Sequence, residues 1–190
     1  MDDFAVIIFV VFVVAVTTSL VPAVAGLSLD DDTKQKKALL SLVFAVIQAL
    51  MAAFGFVVGR LFMHLVGSIA NYVVGGLFLF VAAKMIYDSM QVLKAKRLYT
   101  AMDFKDVALI AVMSSLNTFM ASLATPIINP TGKWMLLVFL LAAFAWAFAF
   151  VNIKYTPKML KTTAFVQFSG GVFMAVVAFL YMFGNLIVNF

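Results

Sequence analysis

Six long apolar runs, separated by short polar stretches, dominate the order of hydrophobic and polar positions along the chain. Each run has about the 20 residues that a helix needs to cross the hydrocarbon core of a bilayer. The runs are apolar on all sides rather than at alternate positions, which argues against the strands of a membrane barrel. The pattern predicts an all-α integral membrane protein, with six transmembrane helices in a single domain that covers residues 1–190. The runs lie near 4–26, 39–63, 69–88, 107–128, 134–153 and 163–188.

The weakest polar break lies between Arg60 and Ser68, where most residues remain apolar. One continuous helix from about 39 to 90 is the competing interpretation. At 1.5 Å per residue, such a helix would be more than twice as long as the hydrocarbon core is thick. We therefore expect the helix to be interrupted in this region.

The composition agrees with lipid as the surrounding solvent. Hydrophobic residues make up 66% of the chain and charged residues 11%, whereas a soluble domain carries about 25% charged residues. The chain has no cysteine, which excludes disulfides and thiolate metal sites. The first residues, Met1, Asp2 and Asp3, lack the basic character of a cleavable signal peptide, so we expect the first run to remain as a helix.

The basic residues alternate between successive loops, and this alternation predicts the orientation. If the N-terminus is outside, the outer side holds only Arg60 and Lys133. The inner loops then hold ten basic residues, an asymmetry typical of cytoplasmic loops. We expect both termini outside and the basic loops in the cytoplasm, which explains the net charge of +5 without a nucleic-acid-binding surface. The ten residues are Lys34, Lys36, Lys37, Lys94, Lys96, Arg97, Lys105, Lys154, Lys158 and Lys161.

Two local similarities indicate an internal repeat. The run Ser19-Leu20-Val21 matches Ser115-Leu116-Asn117 at an offset of 96, and a run that begins at Gly75 matches one that begins at Gly170 at an offset of 95. We infer a duplicated three-helix unit, with repeat one at residues 1–93 and repeat two at residues 104–190. Because three is odd, the two halves would lie in the membrane in opposite orientations. Inverted repeats are typical of secondary transporters, whose substrate site lies between the halves.

Three stretches of the chain resemble a known family. Residues 46–56 read VIQALMAAFGF, similar to FQALMPLIGW in the family's second helix, and residues 82–89 read AAKMIYDS, similar to GGKMIYEG in its third. The family's last helix opens with a glycine pair, here Gly170 and Gly171. On these motifs the whole chain resembles the MntP family of manganese efflux pumps, part of the LysE transporter superfamily. The resemblance implies six helices in two inverted halves and export of a metal ion across a bacterial inner membrane.

The chain departs from the family's pattern at two positions. Family members carry SMDAFA-like and TSLDAM-like motifs in helices one and four, and the resemblance assigns the two aspartates to cation binding. Here the matching positions are Val21 and Asn117. Mn²⁺ prefers hard oxygen ligands that normally include carboxylates, but the chain has no Glu and only Asp88 falls inside a predicted helix. We therefore expect an altered, carboxylate-free site.

The remaining candidate ligands are neutral residues near the middle of the predicted helices. Asn117 and Ser19 are the candidate metal ligands, and hydrogen bonding between helices is the alternative role for Asn117. Pro22 would free the backbone carbonyl near Thr18, although a simple kink of the helix is the alternative. The expected substrate pathway comprises Thr18, Ser19, Pro22, Gln48, Ser115, Asn117 and Thr118.

Lys84 and Asp88 are the charged residues of the third run, and we expect a structural or gating role for them. A buried ammonium group can replace a coupling ion. In the simpler interpretation, Lys84 extends to the cytoplasmic face and pairs with Asp88, which lies one turn further along the helix.

These observations predict a small secondary transporter, with MntP-like export of a divalent metal as the leading hypothesis. The alternatives are a diverged paralogue that moves a neutral or monovalent solute, and a non-transporting membrane subunit that binds a partner. An enzyme is not expected, since the sequence shows no acid–base pair or nucleophile constellation. The expected partners are the lipid bilayer and a transported ion or small solute. We expect no cofactor, and Mn²⁺ would be the transported ion. A homo-oligomer is also compatible with the sequence.

Overall fold

The computed structural model describes residues 8, 10, 12–14, 34–94, 104–129, 135–152 and 157–187. In this part of the chain all regular structure is helical, as predicted. Residues 8, 10 and 12–14 are helical and belong to the first apolar run, which we call the N-terminal segment. The five complete helices are α1 (Lys34–Val66), α2 (Ala70–Lys94), α3 (Phe104–Ile128), α4 (Met135–Asn152) and α5 (Pro157–Ile187).

The interruption expected between Arg60 and Ser68 is present and lies at the end of that interval. α1 ends at Val66, and a single 3₁₀ turn covers Gly67–Ile69 before α2 begins. Gly67 has a φ of 46°, in the left-handed region that glycine adopts without a steric penalty. The change of backbone direction at Gly67 therefore divides the long apolar stretch into two helices.

Contacts between α1 and α3 show that these two helices run parallel. Gln48 of α1 bonds to Ser114 of α3, and Gly59, eleven residues further along α1, lies against Leu123. The chain must therefore return to the starting end of α1 before α3 begins. α2 makes this return, because its 25 residues span about 37 Å.

The pairing of α2 with α5 is antiparallel. Gly75, near the start of α2, lies against Met182 near the end of α5, whereas Gly171 lies against Ile86. It follows that α1, α3 and α5 share one direction and that α2 has the other. α4 joins α3 to α5 and packs against α1.

Large apolar side chains lie mainly on the outside of this protein and polar ones on the inside, the opposite of the distribution in a protein that folds in water. Large apolar residues are exposed along whole faces of the helices, as in the α1 stripe of Leu42, Val46, Leu50, Val57 and Leu61. The helix–helix interfaces instead enclose uncharged polar residues and many small apolar ones, together with a few large side chains such as Phe78 and Met174. Apolar faces of this extent would associate in water, whereas lipid accepts them and leaves small and polar residues for the helix contacts. The buried polar residues are Ser41, Gln48, Ser89, Ser114, Ser115, Asn117, Thr118, Ser122, Thr125, Thr163 and Gln167.

Length and hydropathy identify membrane-spanning stretches among the described residues. Two qualify, Ser41–Met90 and Lys161–Phe183, and Leu137–Ala149 forms a shorter apolar helix. The 50 residues of Ser41–Met90 include most of both α1 and α2, so this stretch consists of two helices of opposite direction. Together with the exposed apolar faces, these helices define an integral membrane protein.

Candidate functional site

Helix α3 carries most of the buried polar side chains, and they lie on two of its faces. Ser114, Thr118 and Ser122 follow one another at intervals of four residues and face α1. Asn117 lies on a second face, which continues one turn later with the buried residue Ala121. The two faces have different hydrogen bonding, and we describe them separately.

The face of α3 that meets α1 contains a closed group of hydrogen bonds, which we call the Gln48 cluster: Gln48, Ser114 and Thr118. Gln48 Nε2 donates to Ser114 Oγ at 3.2 Å, and the hydroxyl of Thr118 donates to Gln48 Oε1. Ser114 Oγ in turn donates to the backbone carbonyl of Ala111 at 3.0 Å. All three side chains are buried. Because both ends of the Gln48 amide are bonded to α3, the cluster joins α1 to α3.

Two glycines of α1 bring its backbone unusually close to α3. A Cβ atom at Gly55 would overlap the carbonyl oxygen of Phe119, and one at Gly59 would overlap the carbonyl oxygen of Leu123. The Gly-x-x-x-Gly spacing places both glycines on the same face of α1. This close approach lets the Gln48 side chain, about two turns before Gly55, reach α3.

Pro126 lies inside α3, next to the glycine contact. A Cβ atom at Gly59 would lie 2.7 Å from Pro126 Cγ. Proline has no backbone N–H, so the carbonyl of Ser122, one turn earlier, lacks its usual intrahelical donor. This end of α3 therefore presents a backbone carbonyl to the helix surface.

Asn117 has an unusual position on the second face of α3. Its side chain is 3% exposed, and Oδ1 is the one buried side-chain oxygen or nitrogen among the described residues without a hydrogen-bond partner. A buried acceptor that is not paired costs about 1–3 kcal/mol, and such groups are rare in native proteins. The amide oxygen is therefore available to a donor or a cation that enters the protein.

The face that carries Asn117 points toward the main apolar cluster. Ala121, Ala124 and Ile128 continue this face and pack in that cluster with residues of the N-terminal segment, α2 and α5. Val14 and Met85, from two of these elements, are fully buried there. Ala52 of α1 and Phe139 of α4 also belong to the cluster. Asn117 thus lies one turn from a dry region to which the N-terminal segment and all five helices contribute, and a polar ligand there would be poorly screened by solvent.

Lys84 and Asp88 form an ion pair on α2. Lys84 Nζ lies 2.6 Å from Asp88 Oδ2, and the two side chains are 21% and 32% exposed. The pair has the i,i+4 spacing that the sequence suggested. No group of three His, Cys, Asp or Glu residues that could hold a metal ion occurs within the described residues.

The predicted pathway residues therefore fall into separate groups. Gln48 and Thr118 bond to one another, Ser115 donates to its own helix at Val112 O (2.7 Å), and Asn117 Oδ1 has no hydrogen-bond partner. Thr18, Ser19, Pro22 and Val21 lie outside the described residues. The predicted pathway did not include Ser114 or Pro126. The spacing of Ser114 and Thr118, both within a run of apolar residues, was the signal that could have revealed Ser114 as a partner for Gln48.

We expect Gln48→Met to lower the stability of the protein. The substitution keeps the side-chain length but removes both amide bonds of the Gln48 cluster, and interhelical bonds of this kind contribute about 0.6–1.7 kcal/mol in membranes. Thermal unfolding in detergent would measure the loss. Ser122→Ala is the matched control, since Ser122 Oγ bonds only to the carbonyl of Thr118 in its own helix at 2.7 Å. Equal stability of the two variants would contradict a joining role for Gln48.

The exposed apolar faces, the buried polar side chains and the polar site between helices define the class, a helical membrane protein with an internal polar site. Residues 31–182, about four-fifths of the chain, match the family model described as "Mntp: Putative manganese efflux pump". The chain belongs to this family, which confirms the resemblance seen in the sequence. It is also 22% identical to a protein of Gloeothece citriformis with the same description over 129 residues, 68% of this chain and 67% of the relative. No solved structure matches the chain significantly.

Proposed function

We propose that this chain is a small secondary transporter that exports a metal cation, with Mn²⁺ as the first candidate cargo, and that Asn117 supplies a ligand oxygen. The unpaired, buried Oδ1 of Asn117 is the observation that carries the proposal. Membership of the MntP family supports both efflux and manganese.

The chemistry of the site supports a partly hydrated ion. Asn117 stands where the family motif has an aspartate, so it offers the same type of oxygen atom without the negative charge. A divalent ion pays a large desolvation cost in a neutral, low-dielectric site. Retained water molecules reduce that cost, and an amide oxygen can accept a hydrogen bond from such water. We therefore place a hydrated cation, rather than a bare one, against Asn117.

The contacts between α2 and α5 support the inverted repeat that transport by alternating access would use. A Cβ atom at Gly75 would lie 3.1 Å from Ala178 O, and a Cβ atom at Gly171 would lie 3.0 Å from Ala82 O. Ninety-six positions separate Gly75 from Gly171, and also Ala82 from Ala178. Ile86 and Met182, the side chains that the two glycines also touch, differ by the same 96 positions. Each contact is thus repeated by its equivalent in the other half, as a twofold relation between inverted halves requires.

The proposal includes six membrane crossings in two halves, residues 1–93 and 104–190. The alternating helix directions and the distribution of Lys and Arg support termini outside and basic loops in the cytoplasm. We also place the protein in a bacterial inner membrane, a location that membership of an efflux-pump family supports. In this arrangement Lys84 and Asp88 lie near the cytoplasmic end of α2, where their ion pair has a structural or gating role.

The lack of carboxylates favours a second candidate, a transporter in the same family that moves a monovalent or neutral solute. The chain contains eight acidic residues, all of them Asp, and Asp88 is the one within an apolar run. Neutral oxygens tolerate a single positive charge better than a double one, because the desolvation cost rises steeply with charge. A membrane subunit that binds a partner without transport is the third possibility.

Mn²⁺ flux into proteoliposomes that contain the purified chain tests these candidates. A Val21→Asp, Asn117→Asp double variant, which restores both carboxylates of the family motif, is measured beside the unaltered chain. We expect flux with the unaltered chain and faster flux with the double variant.

Each result favours a different candidate. Flux by the unaltered chain supports metal export through neutral oxygens. Flux by the double variant alone means that the fold transports cations but that the native cargo is not divalent, which favours the second candidate. No flux by either protein contradicts metal export and favours a partner-binding subunit.

A further inference from the structure

A groove on the apolar outer surface lies between the N-terminal segment and α5. Its volume is about 270 Å³, and its lining is almost wholly apolar. Phe12 borders the groove on one side, and Phe165 and Phe173 border it along α5. Ser169 and Gly170 also line it, and their small size leaves space between the larger neighbours.

The one side-chain hydroxyl in the lining is not available to a ligand as a donor. Ser169 Oγ donates to the backbone carbonyl of Phe165 at 2.8 Å. The three phenylalanines that border the groove are each more than half exposed, so their rings project from the protein surface. The groove therefore has the chemistry to hold hydrocarbon and little that could hold water or a polar solute.

A basic residue lies at one end of this groove. Lys161 is exposed and precedes Phe165 by one helical turn on the same side of α5. From Lys161 to Phe173 the helix rises about 18 Å, close to half the thickness of a bilayer's hydrocarbon core. The groove and Lys161 together thus cover about the depth of one leaflet, with a positive charge at the end where headgroups lie.

We propose that this groove binds an anionic phospholipid, with one acyl chain between Phe12 and α5 and the phosphate at Lys161. Basic residues next to apolar clefts between transmembrane helices are suited to anionic headgroups. The bound lipid would contact both the N-terminal segment and α5, and so hold the first helix of the chain against the last. This inference does not depend on the identity of the transported solute.

Native mass spectrometry of the full chain in detergent tests the proposal, with dioleoylphosphatidylglycerol and dioleoylphosphatidylcholine as the two probes. One lysine near an anionic headgroup contributes roughly 1 kcal/mol, so we expect about fivefold tighter binding of the glycerol lipid. Lys161→Gln should remove this preference and leave the binding of the choline lipid unchanged. Ser169→Phe should weaken the binding of both lipids because it fills the groove.

Val176→Phe is the matched control, since Val176 is 49% exposed on α5 and does not line the groove. We expect this variant to bind both lipids like the unaltered chain. Equal binding of the two lipids by the unaltered chain would overturn the assignment of Lys161. Undiminished binding by Ser169→Phe would overturn the assignment of the groove. Because Lys161→Gln changes only an exposed side chain, the headgroup test remains decisive even if Ser169→Phe does not fold.

Discussion

Asn117→Leu is expected to lower transport by at least about tenfold, while the protein keeps or gains stability. Leucine removes the unpaired Oδ1, and with it a penalty of about 1–3 kcal/mol for a buried acceptor without a donor. The same change removes the proposed ligand oxygen. A hydrogen bond to a charged group contributes about 1.5–3 kcal/mol, so transport should fall roughly 10- to 100-fold. Flux in proteoliposomes and thermal unfolding in detergent measure the two effects on the same preparation.

The combination of results separates a ligand role from a packing role. Thr125→Val is the control, because Thr125 is also buried in α3 but its hydroxyl donates to the carbonyl of Ala121 in its own helix at 3.2 Å. We expect this control to transport normally. If Asn117→Leu lost stability together with activity, Asn117 would be a structural residue and the proposed ligand role would be wrong.

The second large effect is expected at the glycines between α1 and α3. In the double variant Gly55→Ala, Gly59→Ala, both new methyl groups would overlap carbonyl oxygens of α3. α1 and α3 must therefore move apart. Overpacking of this kind costs about 1–3 kcal/mol per site, which exceeds the roughly 1 kcal/mol that alanine gains over glycine inside a helix. We expect a net loss of stability, together with weaker bonding in the Gln48 cluster, in thermal unfolding of the double variant.

For Gly76→Ala we expect the opposite result, with no loss of stability. Gly76 lies inside α2, and a Cβ atom there would have no neighbour within 4 Å. Only the helix preference of alanine then applies, so this variant should be as stable as the unaltered chain or more stable by up to about 1 kcal/mol. Equal stability of Gly76→Ala and the Gly55→Ala, Gly59→Ala variant would show that the close approach of α1 to α3 contributes nothing.

Much of the fold could be predicted from the sequence because lipid imposes simple length rules. Five apolar runs appear as α1 to α5, and the interruption near Ser68 followed from the excessive length of a single helix. The bounds of the helices could not be predicted as well, since several continue beyond the apolar runs into polar residues. α5, for example, begins at Pro157, six residues before the expected start. Proline is favoured in the first turn of a helix, and its fixed φ explains this early start.

The grouping of the site residues could be predicted only in part. The sequence identified Gln48, Asn117 and Thr118 as polar residues in apolar helices, but it did not determine which of them meet. α3 carries uncharged polar residues on more than one face, so its pattern alone does not show its rotation, and hence which face meets α1. The structure fixes that rotation through the contacts of α3 with Gly55 and Gly59, and it thereby places Thr118 toward Gln48 and Asn117 toward the apolar cluster.

The sequence also did not identify the helix that packs on Gly55 and Gly59. A Gly-x-x-x-Gly pair shows that a backbone can approach closely, but the pair is common in membrane helices and specifies no partner. The repeat was easier to detect, because a duplication leaves matching residues at a constant offset. The contacts of Gly75 and Gly171 refine that offset to 96, the value already given by Ser19 and Ser115.

Thiol labelling at position 117 tests most directly whether Asn117 faces a route for cations. The chain contains no cysteine, so Asn117→Cys introduces a single thiol, which reacts only where water allows it to ionise. The probe is a small, positively charged methanethiosulfonate reagent added to either side of reconstituted protein. Ala124→Cys, at a fully buried position of the apolar cluster, is the control. We predict labelling at position 117, slowed by Mn²⁺, and none at position 124. An unreactive thiol at position 117 from both sides of the membrane, or equal labelling at both positions, would contradict a cation route at Asn117.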